Sequence, residues 1–78
     1  MRLHLGGHLD FYDSQKRSWV DVSLGVPTRL LDVLAKLGVP EGEVAIVSVN
    51  GRAVAIEEAI VSDADRVEIF PPVGGGSG

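Results

Sequence analysis

Residues 44–56, VAIVSVNGRAVAI, place the dipeptide Asn50-Gly51 between two apolar runs. This is the strongest short-range signal for a two-residue hairpin turn, since both central positions of that turn need left-handed backbone. The turn sets the register of pairs on one face of the sheet: Val49 with Arg52, Val47 with Val54, and Ala45 with Ile56. Because residues 44–49 are almost continuously apolar, we expect them to form an interior strand.

Three further strands are predicted outward from the hairpin, at residues 2–6, 19–24 and 66–70, where apolar and polar side chains alternate. Their core-facing residues are Leu3, Leu5, Val20, Val22, Leu24, Val67 and Ile69. Residues 6–18 are expected to form a loop that Leu9, Phe11 and Tyr12 can anchor. Pro71 and Pro72 end the last strand, because proline cannot donate to a sheet ladder.

A helix is predicted over residues 28–37. Its apolar face consists of Leu30, Leu31, Val33, Leu34 and Leu37. Thr28 is expected to cap the helix with its hydroxyl, and Gly38 to take the left-handed position at its end. Residues 57–64 are expected to form a crossover connection that contains a short turn.

The predicted order is strand, strand, helix, strand, strand, strand. One helix must therefore cover all five strands. We therefore predict an α+β fold in which a mixed sheet is covered on one face by a single helix. The 78 residues suffice for one domain. Residues 1–73 are assigned to this domain and residues 74–78, Gly-Gly-Gly-Ser-Gly, to a flexible tail.

The composition excludes several classes of function. Eleven acidic residues against seven basic ones give a net charge of −4, which argues against nucleic-acid binding. The absence of cysteine excludes disulfides, thiolate metal sites and cysteine nucleophiles. With no signal-peptide pattern and no apolar run long enough to cross a membrane, a cytoplasmic location away from membranes is expected.

Some polar clusters have a functional and a simpler interpretation. His4, His8, Asp10 and Asp13 suggest a metal site, but a strand and a loop do not hold that spacing on one face, so no metal is expected. The carboxylates of Glu57, Glu58, Asp63 and Asp65 are interpreted as solvated loop charges rather than catalytic groups. Trp19 faces away from Val20, and it is either a packing residue or part of a partner surface.

Three segments together resemble the MoaD/ThiS family of sulfur carriers, which have the ubiquitin-like β-grasp fold. They are Val49-Asn50-Gly51-Arg52-Ala53-Val54, Asp63-Ala64-Asp65-Arg66-Val67, and Phe70-Pro71-Pro72-Val73 followed by Gly74, Gly75 and Gly76. The most specific part is the last strand running into Phe-Pro-Pro-Val and glycines. The chain length and the Pro71-Pro72 pair are more similar to the MoaD branch, which serves molybdopterin synthesis, than to the ThiS branch, which serves thiazole synthesis.

The resemblance implies a carrier without a cofactor of its own, which is a substrate of enzymes rather than an enzyme. A ubiquitin-activating-like enzyme would adenylate the C-terminal glycine, and sulfur would replace the adenylate to give a thiocarboxylate. The sulfur would then pass to a precursor held by a molybdopterin-synthase-like large subunit or another acceptor enzyme. Phe70, Pro71, Pro72 and Val73 would form the root of the tail and contact these partners.

The physical properties of the tail agree with this role. Glycine has no Cβ, so Gly74 and Gly75 can thread a channel too narrow for other residues. The eight residues beyond Phe70 span at most roughly 26–29 Å. Pro71 and Pro72 stiffen the root. A carboxylate is a poor electrophile until it is activated, so the activating groups must come from a partner.

The end of the chain departs from the family pattern. Alignment on residues 70–73 makes Gly76 the reactive residue, yet Ser77 and Gly78 follow it. Either the tail is trimmed to Gly76, or Gly78 carries the sulfur, or the last two residues do not belong to the natural chain. Ala64 stands where the family usually has glycine, and alanine tolerates a type I turn.

Two other functions remain open from the sequence. A ubiquitin-like protein modifier would also be adenylated on its glycine, but it would be joined to lysines of other proteins. Alternatively, the domain is an interaction module with an inert tail.

Overall fold

The computed structural model describes residues 1–73. Within them the chain forms seven strands, β1 (Arg2–Leu5), β2 (Trp19–Asp21), β3 (Thr28–Arg29), β4 (Ile46–Val49), β5 (Arg52–Val54), β6 (Ile60–Val61) and β7 (Arg66–Phe70). One α-helix, α1, spans Leu30–Leu37. Short 3₁₀ turns lie at Gly7–Tyr12, Glu41–Glu43 and Ile56–Glu58.

Five of these strands form a mixed sheet in the order β2-β1-β7-β4-β5. The last strand of the chain is therefore central, parallel to β1 on one side and antiparallel to β4 on the other. The predicted interior position of β4 is confirmed, because β4 lies between β7 and β5. Helix α1 covers one face of the sheet, and the fold is the α+β, ubiquitin-like β-grasp that the sequence predicts.

The hairpin register is confirmed by the pairs Val49–Arg52 and Val47–Val54. Asn50 and Gly51 have φ values of 53° and 86°, the left-handed backbone that the turn requires. The predicted third pair, Ala45 with Ile56, is wrong, because β5 ends at Val54 and the chain enters a 3₁₀ turn.

The core lies between the sheet and α1. Leu3, Val67 and Ile69 of the sheet and Leu30 of the helix are fully buried. Val20 is buried and Val22 and Leu24 pack beside it, although β2 ends at Asp21 rather than residue 24.

The predicted start of the helix is wrong. Thr28 belongs to β3, which pairs with β6 in a small second sheet, and the helix begins at Leu30. The Thr28 hydroxyl donates to the Val26 carbonyl at 2.8 Å and caps no helix amide. The predicted end is confirmed, because Gly38 follows the helix with a φ of 78°.

Residues 6–18 are not a simple loop, since Gly7–Tyr12 form a 3₁₀ turn. Of the three expected anchors, Leu9 is fully buried and Tyr12 is partly buried against the core. Phe11 is not an anchor, because its side chain is 63% exposed.

Candidate functional site

The root of the tail continues directly from the central strand. The Ala45 amide donates to the Phe70 carbonyl and the Gly6 amide donates to the Ile69 carbonyl, both at 2.8 Å. The ladder thus reaches Ile69 on the β1 side and Phe70 on the β4 side. Pro71 follows without an N–H, so the chain must leave the sheet there.

Exposure rises steeply along the root. Phe70 and Pro71 are partly buried, Pro72 is exposed, and Val73 is 85% exposed. These four residues therefore lie together at the end of β7, where the sequence places them. The predicted reactive and threading glycines, Gly74, Gly75, Gly76 and Gly78, lie outside the described residues.

An aromatic cluster surrounds this root on the face of the sheet opposite α1. The His4 ring lies 4.8 Å from the Trp19 ring and 5.7 Å, edge-on, from the Phe70 ring, measured between centroids. The Arg2 guanidinium carbon lies 4.6 Å from the centre of the Trp19 ring, within the range of a cation–π contact. Trp19 is half-buried and packs against His4 and Arg2 in this cluster.

The apolar surface extends past Phe70 to its neighbour on β4. Ile46 pairs with Phe70 and points away from the core, with 48% of its surface exposed. Trp19, His4, Phe70 and Ile46 therefore form a continuous surface across four strands, which we call the root face. Of these four side chains only Ile46 is exposed, and the other three are partly buried.

Three of the four residues considered for a metal site, His4, His8 and Asp13, have other partners. His4 belongs to the root face, while His8 Nε2 lies 2.9 Å from Glu43 Oε1. Asp13 binds Arg17 through two hydrogen bonds of 3.0 and 3.1 Å, and this contact holds the pKa of Asp13 well below its usual range. Among residues 1–73, no three His, Cys, Asp or Glu side chains come together as metal ligands.

Asp63 and Asp65 hold the backbone in place. Asp63 accepts hydrogen bonds from the amides of Leu24 and Gly25, which lower its pKa. Asp65 accepts from the Asn50 side chain and the Ser62 amide, with the same effect on its pKa. Both carboxylates are thus structural groups that join separate loops, which goes beyond the solvated charges expected from the sequence.

Two shallow grooves run beside α1, and Val22, Lys36 and Leu37 line both of them. Neither groove has a histidine or a cysteine in its lining. In the described part of the chain, no helix is long and apolar enough to cross a membrane.

Comparison with known proteins identifies one family. The model of the ThiS family matches residues 16–76, which include the hairpin, the central strand and the root of the tail. No curated protein matches the chain.

Proposed function

The chain belongs to the ThiS family, whose members are small sulfur carriers rather than catalysts, and we propose how it carries sulfur. In this proposal the C-terminal glycine is the residue that bears the sulfur. The observation that carries this proposal is the path of β7. The central strand ends at Phe70, Pro71 and Pro72 follow it directly, and Val73 is exposed. This geometry supports a rigid domain that presents its end to another protein.

The proposed chemistry has two steps. In the first, a carboxylate oxygen of the terminal glycine bonds to the α-phosphorus of ATP, and pyrophosphate leaves. In the second, hydrosulfide from a sulfur donor attacks the acyl carbon, a C–S bond forms, the C–O bond to AMP breaks, and AMP leaves. The product is a thiocarboxylate, which can transfer its sulfur to an acceptor.

Both steps need groups supplied by partners. An adenylating enzyme of the ubiquitin-activating type would bind ATP and orient the tail, and an acceptor enzyme would use the thiocarboxylate. We propose that the root face contacts these enzymes, because it surrounds the point where the tail leaves and carries the exposed apolar surface of Ile46.

We propose a molybdopterin-type cofactor as the end product, with a large subunit like that of molybdopterin synthase as the acceptor. The Pro71-Pro72 pair supports this choice, since it resembles the MoaD ending. A thiazole-forming acceptor is the competing outcome, and sulfur transfer to each purified acceptor separates the two.

Intact mass identifies the reactive glycine. Full-length protein and a variant lacking Ser77 and Gly78 are incubated with an adenylating enzyme, ATP and a sulfur donor. If Gly76 is reactive after trimming, the shortened form gains the mass of sulfur replacing oxygen. If Gly78 is reactive, the full-length form gains it and the shortened form is impaired.

A Gly76→Leu change in the shortened form is the matched control. Its side chain should block the channel and abolish the mass gain, while the domain stays folded. Conjugation to lysines in a cell extract would instead identify a protein modifier. No mass gain on either form, with an enzyme that is active on a known carrier, would support the inert tail.

A further inference from the structure

Two glycines pack against the point where β7 becomes the tail. Gly6 and Gly7 follow β1, and the Gly6 amide bonds to the Ile69 carbonyl. Gly7 has a φ of 54°, in the left-handed region that side chains rarely adopt. The chain therefore turns away from β7 just beside the first proline of the tail root.

The space at both glycines is too small for a side chain. A Cβ on Gly6 would collide with the Phe70 ring and lie 2.8 Å from the Ile69 carbonyl oxygen. A Cβ on Gly7 would lie 2.7 Å from Pro71 Cγ and 3.0 Å from Pro71 Cδ. Carbon atoms in van der Waals contact are about 3.5–4.0 Å apart, so Pro71 would have to move.

The Pro71 ring cannot yield as a flexible side chain would. Its Cδ, which a Cβ on Gly7 would meet at 3.0 Å, is bonded to the Pro71 backbone nitrogen, so displacement of this atom changes the path of the main chain. On the other side, the Phe70 carbonyl is held by the Ala45 amide. A shift forced at Gly7 is therefore transmitted to Pro72 and Val73.

We propose that Gly7 is a positioning residue that sets the direction in which the tail leaves the sheet. This proposal rests on the proposed function, because the direction matters for a tail that must enter a partner's channel while the root face stays docked. Misplacement of a reacting group by about 1 Å can reduce a rate about a hundredfold.

Gly25 provides a matched control. Its φ is 82°, similar to that of Gly7, but a Cβ there would meet nothing within 4 Å. Gly7→Ala and Gly25→Ala therefore share the strain of left-handed backbone, and only the first adds the collision with Pro71. If alanine at position 7 prevents folding, Gly7→Asn with Gly25→Asn repeats the comparison, since asparagine tolerates this backbone better.

The test has one measurement on the free protein and one with the adenylating enzyme. Residual dipolar couplings of the Val73 amide report the direction of the root, and we expect them to change in Gly7→Ala but not in Gly25→Ala. With the enzyme, we expect kcat/KM for adenylation to fall about ten- to a hundredfold in Gly7→Ala alone, mainly through kcat. In a Pro71→Ala background, which lacks the colliding ring, Gly7→Ala should lower kcat/KM far less than it does in the wild-type background.

Equal Val73 couplings and equal kcat/KM in the two alanine variants would overturn the proposal. Failure of the wild-type protein to accept sulfur would overturn the proposed function instead. In that case the Val73 couplings alone decide whether Gly7 sets the direction of the root.

Discussion

Asn50 does more than shape a turn. The Asn50 side-chain Nδ2 donates to Asp65 Oδ1 at 2.9 Å, and the side-chain Oδ1 accepts from the Arg66 amide at 2.9 Å. The turn between β4 and β5 is thereby fastened to the start of the central strand. The stability of this corner depends on the Asn50 side chain as well as on its backbone.

Two substitutions separate these contributions. Asn50→Gly keeps the left-handed backbone and removes the side-chain hydrogen bonds, so we expect a loss of about 1–2 kcal/mol in the free energy of unfolding. Asn50→Ala also places alanine in left-handed backbone, which adds about 1 kcal/mol. Urea denaturation of the three proteins measures both differences. Equal losses in the two variants would show that the backbone strain contributes nothing.

Asp65 should make stability depend on pH in the acid range. Its pKa is lowered by hydrogen bonds from Asn50 and Ser62, so the folded state binds a proton less readily than the unfolded state. This contribution is complete above the ordinary aspartate pKa of 3.8 and is lost as pH falls through the lower folded value. Asp65→Asn should therefore flatten the decline in stability below about pH 4.

The measurement is the urea midpoint between neutral pH and pH 2, with Glu57→Gln as the control for removal of an exposed carboxylate. Asp63 must stay unchanged in both variants, because its pKa is also lowered. It therefore makes the free energy of unfolding fall with decreasing pH in the same range. An unaltered acid slope in Asp65→Asn would mean that these hydrogen bonds do not stabilise the folded protein.

At the scale of elements, strands and helices long enough to show a hydrophobic period were predictable from the sequence, and two-residue strands were not. The alternation in residues 66–70 matches β7, because the buried residues Val67 and Ile69 alternate with residues that are exposed or partly exposed. Strands β3 and β6 have two residues each, which is too few to show a period. Thr28 before an apolar helix face is typical of a cap, but its backbone pairs with Val61 and the helix starts later.

The helix face provides a prediction at the same scale. Leu30 is fully buried whereas Leu31 is partly exposed, although the sequence assigns both to one apolar face. Leu30→Ala should cost about 2–5 kcal/mol through lost burial and the cavity left behind, and Leu31→Ala clearly less. Denaturant midpoints of the two variants measure the difference. Similar losses would mean that the helix is rotated from the described orientation.

The root face could not be predicted from the sequence because it depends on register. His4 and Trp19 are 15 positions apart, and they meet only because β1 and β2 pair at that position. Phe70 joins them because β7 lies beside β1, an order that follows from the whole topology. Alternation showed that these side chains point away from the core, but not that they touch.

For the whole molecule, we expect stability and sulfur transfer to be separable. The buried core of the described residues ends at Ile69, before the tail root. Deletion of residues 74–78 should therefore change the free energy of unfolding by less than about 0.5 kcal/mol. The same deletion should abolish sulfur transfer. Thermal denaturation and the intact-mass assay measure the two effects, and a large loss of stability would show that the tail packs on the domain.

The central position of β7 also determines how the domain responds to mechanical force. A pull on the tail acts along β7, and the hydrogen bonds to β1 and β4 share that load on both sides at once. An edge strand such as β5, pulled outward from its end, would separate one hydrogen bond at a time. The domain should therefore withstand more tension applied through its tail than it would if the tail continued from an edge strand.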